Sequence, residues 1–405
     1  MKGLDFGRKL LCSCVAASLL ASCGGSQTVL GAPAAMAGQL VSQRSSTDVF
    51  EMIYGFTDQH NDQQPIAAVT SRNGVLYGTT VGGGGTIYKL TTGGTETVLH
   101  KFGHEGDVDD PEGNLLLLGG TFYGTGYVGG AGQGCCGGVF SITPSGQERV
   151  IYSFKEHSDV LSPRGGLTPL NGKMYGSGSD GNGGIFEITT AGKERIVHRF
   201  QGAPHDAAGD VKNLLVYKGV LYGATGGGAH NHGAIFSLTP SGSEHILYSF
   251  RGSPKDGEGP NSLTMLNGVF YGTTSSGGSN KTCEGGCGTV FSFTLTGKEA
   301  ILHNFSPTDG TRSVAALVPY NGYLYGTMCA GGTYGGNICY DRASYGTGKG
   351  TVFRISTTGQ FAVLHYFEGY DGAFPVAPLY VLNGALYGTA QAGGDLWGTV
   401  FRINP

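Results

Sequence analysis

Short apolar runs separated by glycine-rich polar stretches recur seven times along the chain, and their alternation is that of strands rather than helices. A Tyr-Gly pair stands at Tyr77, Tyr123, Tyr175, Tyr222, Tyr271, Tyr325 and Tyr387. After each comes a short run ending in an aromatic residue, as in Gly184-Ile-Phe186 and Gly350-Thr-Val-Phe353. A longer run closing on phenylalanine follows, as in Glu148 to Phe154 and Glu244 to Phe250. The first aromatic residue precedes that phenylalanine by 14 positions in all six intact copies, from Tyr88→Phe102 to Phe353→Phe367. The phenylalanine precedes the next Tyr-Gly by 20 to 22 positions, whereas the interval from Tyr-Gly to the next aromatic run varies from 11 to 28. Length variation is therefore confined to one loop per repeat.

A two-residue turn signal stands before every Tyr-Gly: Asn73-Gly74, Gly119-Gly120, Asn171-Gly172, Lys218-Gly219, Asn267-Gly268, Asn321-Gly322 and Asn383-Gly384. Asn-Gly accepts the positive φ that a type I′ hairpin requires at both positions. Each repeat thus carries four strands, a to d, with tight a–b and c–d turns and a variable b–c loop. Seven four-stranded units predict an all-β, seven-bladed β-propeller over residues 48–405. The series starts with an orphan d run (49–56) and ends on an unpaired c run, Gly398 to Arg402. Closure by residues 49–56 completing the last blade removes both open sheet edges.

The Leu-Tyr-Gly-Thr-Thr, double-glycine, Gly-Thr-Val-Phe and Val-Leu-His-x-Phe elements resemble the choice-of-anchor tandem repeat family called GloVer, over about residues 49–405. The resemblance implies an exported bacterial protein whose anchor differs between members. It implies nothing about a ligand or a reaction.

Composition agrees with a rigid, turn-rich fold. Of 405 residues 76 are glycine, which would suggest a flexible chain were aromatic residues not also at 10%; disordered segments are poor in aromatics. The net charge of −4, without basic clusters, argues against a nucleic-acid partner.

Residues 1–22 read as a secretory signal: Lys2, Arg8 and Lys9 precede an apolar run from Leu10 to Leu20 that is too short to span a bilayer. The run ends in Leu20-Ala21-Ser22-Cys23, which resembles a bacterial lipobox. Cleavage before Cys23 and lipidation of its sulfur are expected, with residues 23–47 serving as a flexible tether. The expected location is the bacterial cell envelope, outside the cytoplasm, held to the membrane by lipid, and the expected state is monomeric.

The b–c and d–a loops of a propeller share one face, so a ligand site is expected there. An acidic residue follows each closing phenylalanine: Asp62, Asp107, Asp159, Asp206, Asp256, Asp309 and Asp371. Two roles fit these residues. They bond turn amides within each blade, or they ring the channel mouth, where their oxygens suit Ca²⁺ or a polar ligand. His230 and His232 lie in a b–c loop as ligand-face candidates. His100, His198, His303 and His365 share the strand-d position of Tyr54, Tyr152 and Tyr248, which marks them as structural.

No nucleophile elbow, phosphate-binding loop or zinc-protease motif stands at a credible position. The leading functional expectation is a binding or scaffold module for a protein or glycan, with no required cofactor. The alternative is a carbohydrate-active lyase or hydrolase at the channel mouth.

Beyond the signal segment, which holds Cys12 and Cys14, the six cysteines other than Cys23 all fall in b–c loops. Outside the cytosol they are expected to be oxidised, as Cys283–Cys287 and Cys329–Cys339, with Cys135 and Cys136 forming a vicinal ring or pairing elsewhere. Thiol titration of the unreduced protein is expected to find these cysteines unreactive; six reactive thiols would overturn the pairing.

Overall fold

The computed structural model describes residues 50–57, 63–131, 136–332, 349–393 and 397–405. They form seven antiparallel four-stranded blades, with no α-helix among the described residues. Blade 3 shows the pattern: Thr168–Leu170, Lys173–Gly178, Gly184–Ile188 and Glu194–Arg199 are strands a to d. The last blade joins Tyr380–Leu382, Ala385–Ala390 and Thr399–Ile403 to Phe50–Gly55. Phe50 pairs with Ile403 and Gly55 with Thr399, so the ring closes as the orphan strand requires.

All seven a–b turns place both central residues at positive φ, from Asn73 at 53° and Gly74 at 78° to Asn383 at 49° and Gly384 at 86°. Lys218 adopts φ 50° without the side-chain amide that makes this conformation tolerable for asparagine. Every d strand carries a β-bulge opposite strand c, as between Ile185 and Phe186 in blade 3.

One contact joins each blade to the next. The phenylalanine ending strand d meets edge-on the strand-c aromatic of the following blade: Phe154 on Phe186, Phe200 on Phe236, Phe250 on Phe291, Phe305 on Phe353. Phe56 on Tyr88 continues the series across the closure. The seven pairs have centroid separations of 4.9–5.5 Å and interplanar angles of 61–70°. Such pairs add roughly 0.5–1.5 kcal/mol each beyond the area they bury.

A second set of links lies nearer the axis, where strand-b hydroxyls donate to the neighbouring blade's backbone. Thr79 bonds the Pro111 carbonyl at 2.8 Å, Thr125 that of Gly165 at 2.9 Å and Thr327 that of Ala377 at 3.2 Å. Thr389 reaches Ala67 at 3.0 Å and closes this inner ring.

The packing explains the Tyr-Gly pair. A Cβ on Gly78, Gly124, Gly176, Gly223, Gly272, Gly326 or Gly388 would enter the strand-c aromatic ring of its own blade. That ring is itself held by the phenylalanine of the preceding blade. Gly176→Ala is therefore expected to cost about 1–3 kcal/mol through overpacking against Phe186. Gly55→Ala, which meets nothing within 4 Å, should be nearly neutral. Thermal melts of both variants check this, and equal melting temperatures would contradict it.

Candidate functional site

The d–a and b–c loops pair with one another and build one face. Val108–Asp109 pairs with Val128–Gly129, Ala207 with Gly227 and Thr311 with Ala330. On the axis of the ring lies a cavity of about 160 Å³ to which all seven blades contribute. Its wall comes from the residues that lead into each strand a.

The entries to strand a differ sharply around this wall. The lining residues from blades 2 to 4 include Glu112, Arg164, Asp210 and Lys212, while blades 6, 7 and 1 supply Val314, Val376, Pro378 and Ile66. One side is charged and the other apolar.

The charged side is mutually satisfied. Arg164 donates to both carboxylate oxygens of Glu112, at 3.0 and 3.1 Å, and its guanidinium lies 3.8 Å from the centre of the Tyr127 ring. Lys212 Nζ reaches across to the Val314 carbonyl at 2.9 Å. Burial raises Asp210 against the opposing pull of Lys212 and Arg164, and raises Glu112 against Arg164. Burial likewise lowers Lys212 despite Asp210 and Glu112. These are weakened charges around a small, half-apolar space, the combination that marks many ligand sites.

A second cavity on the same face, about 500 Å³, borders the Cys283–Cys287 disulfide and is lined by Ser275, Ser276, Glu284, Thr311 and Arg312. It holds one carboxylate and one guanidinium, against four charged groups in the axial cavity. Cys136 and Cys329 are also disulfide-bonded. Their expected partners Cys135 and Cys339 lie outside the described residues, as do Asp62 and Cys23.

The six described aspartates of the series do not line the axial cavity. Each sits at the outer rim and accepts from a nearby backbone amide and, in five of the six, from the strand-d His or Tyr. Asp159 accepts from Lys155 N and the Tyr152 hydroxyl at 2.9 and 2.8 Å. Asp256 accepts from Arg251 N and Tyr248 at 3.0 and 2.8 Å. Asp309 and Asp371 stand 3.0 and 2.8 Å from His303 and His365, and Asp206 stands 3.4 Å from His198. Asp107 accepts from His104 N at 3.4 Å, with His100 at 3.6 Å. His232 lies 3.1 Å from Glu258, and His230 is exposed, so the two histidines join no cluster with Asp206.

The first residue of the next blade's strand d completes each rim junction. Glu194 approaches Tyr152 at 3.5 Å, whereas Phe361 and Phe50 stack on His303 and His365.

The profile of the Gloeobacter/Verrucomicrobia repeat matches residues 27–225 and 280–405. The chain belongs to this repeat family. No curated protein matches it. Among solved structures, the repeat chain is similar to the computationally designed Ika8 protein (12% identity, TM-score 0.48, 87% of this chain and 99% of that one). It is also similar to a luciferin-regenerating enzyme (13%, 0.47, 77% and 96%) and to XC5397 of Xanthomonas campestris, described as a gluconolactonase (10%, 0.43, 88% and 89%). At these scores the likenesses assign no residue a role.

The rim of the repeat ring carries a pH dependence. Burial, reinforced by Asp159, pushes Glu194 up to about 7, and burial with Asp256 does the same to Glu299. A carboxyl raised on folding favours the folded state while protonated. Its contribution is complete below the ordinary value near 4.5 and is lost as pH rises through about 7. Melting temperature is expected to fall between pH 5 and pH 8, and to fall less in the Glu194→Gln, Glu299→Gln double variant. Equal slopes for the two proteins would contradict this assignment.

Proposed function

We propose that this family member is an exported, lipid-anchored binding module whose ligand enters the axial cavity. The signal over residues 1–22 and the lipobox at Cys23 support the location. The supporting observation for the site is its two-sidedness: Glu112, Arg164, Asp210 and Lys212 face Ile66, Val314, Val376 and Pro378 across one small space. A sugar ring presents the matching surfaces, hydroxyls at its edge and C–H groups on its face. At about 160 Å³ the cavity is below the roughly 300–1,000 Å³ of drug-sized sites, which favours a terminal sugar residue over an internal one.

A second reading, a glycan hydrolase, draws on one observation. Glu112 and Asp210 line the same cavity and both are raised by burial, as the acid member of a glycosidase carboxyl pair must be.

A glycan screen with the intact protein separates the readings. Binding of a defined oligosaccharide is expected, weakened at least tenfold by Lys212→Met and by Glu112→Gln. Retention of full affinity in both variants, or no glycan bound at all, would overturn the axial assignment. Release of new reducing ends, abolished by Glu112→Gln, would replace the binding module with the enzyme.

A further inference from the structure

Two junctions at the outer rim differ from the rest in bringing a histidine together with two carboxylates. At the first, His100 comes from strand d of blade 1, Asp107 from the loop after it and Glu148 from the start of strand d of blade 2. At the second, His198, Asp206 and Glu244 repeat the arrangement between blades 3 and 4. In each, one atom from every side chain lies within 4.8 Å of the others.

The remaining described junctions lack the set. Tyr152 and Tyr248 replace the histidine, and Phe361 and Phe50 replace the glutamate beside His303 and His365.

Unsatisfied lone pairs point to an occupant. Nε2 of His100 stands 3.6 Å from Asp107, beyond hydrogen-bond reach, and is buried without a hydrogen-bond partner. Oε1 of Glu148 and Oε1 of Glu244 are buried without partners too, as are those of Glu194 and Glu299 at the tyrosine junctions, so the histidine nitrogen is what sets these two junctions apart. Leaving such atoms unpaired is unfavourable, because each has lost its water without gaining a partner. One cation accepting a nitrogen and two oxygens would satisfy a whole junction. The donor set selects among cations: Ca²⁺ takes six to eight oxygens, whereas one imidazole with two carboxylates suits Zn²⁺, leaving a fourth position for water. Zinc bonds of about 2.0–2.2 Å require the three atoms to close in slightly, and the glutamates have the rotatable bonds for it.

We propose that the two junctions bind Zn²⁺, each ion tying the outer strand of one blade to that of the next. The assignment is independent of the axial cavity and of any ligand held there.

The repeat supplies its own control, because tyrosine already occupies the histidine position in other blades. His100→Tyr and His198→Tyr should therefore fold. The intact protein, stripped with EDTA, is titrated with ZnCl₂ by calorimetry and by thermal melting. Two equivalents per chain are expected, with a rise in melting temperature. Each single variant should lose one equivalent and half of the rise, and the double variant should lose both while keeping the melting temperature of the stripped wild type. Absence of zinc binding to the wild type, unchanged stoichiometry in the double variant, or an equal response to CaCl₂ would overturn the proposal.

Discussion

The edge-to-face contact between the phenylalanine that ends one blade and the strand-c aromatic of the next is the constraint on which the rest of the ring depends. It sets the angle between neighbouring sheets, because a T-shaped pair has a preferred tilt where a purely aliphatic contact would not. It also dictates composition at a distance. The ring held from outside by its neighbour presses inward on the strand-b backbone of its own blade, so only glycine fits after the tyrosine there. A glycine at Gly176, a phenylalanine at Phe186 and a phenylalanine at Phe154 are three consequences of one contact.

Because this contact repeats seven times, the scaffold alone distinguishes no blade from another. Function has to arise where the repeat is broken. Around the axis the break is chemical: the entries to strand a hold Glu112, Arg164 and Lys212 on one side and Ile66, Val314 and Val376 on the other. At the rim the break is between histidine and tyrosine and between glutamate and phenylalanine. Neither variation replaces a member of the aromatic pair, although Phe361 and Phe50 pack against both rings of theirs.

The architecture was largely legible in the sequence, since strand number, turn type and closure all follow from spacings that backbone geometry enforces. Asn73-Gly74 and its counterparts named their turns, and the orphan run before Phe56 named its partner at Thr399–Ile403. The candidate site was less legible. The aspartates attracted attention because they recur, yet a residue present in every blade is one that every blade needs, and six of them brace the rim instead of facing the axis. Glu112, Arg164, Asp210 and Lys212 were overlooked for the opposite reason. Glu112 and Arg164 share a position with Ile66, Val314 and Val376 but not a residue type, and Asp210 and Lys212 flank that position in blade 4, so only aligning the entry to each strand a, from Pro111, Pro163 or Pro375 onward, exposes them. The meeting of Asp107 with Glu148 was hidden because it joins two repeats about forty residues apart.

Closure by the first strand also fixes an order of events. Among the described residues Phe50–Gly55 is the first strand made, and its partner Thr399–Ile403 is the last. At about 5–20 residues per second, synthesis of the intervening chain takes roughly 20–70 s. Throughout that interval the strand is an edge without its partner, and so are the blades already formed at their open end. Loop closure between such distant segments is slow, which makes the seam between the first and last strands the stage at which a nascent chain is most exposed to pairing with another copy.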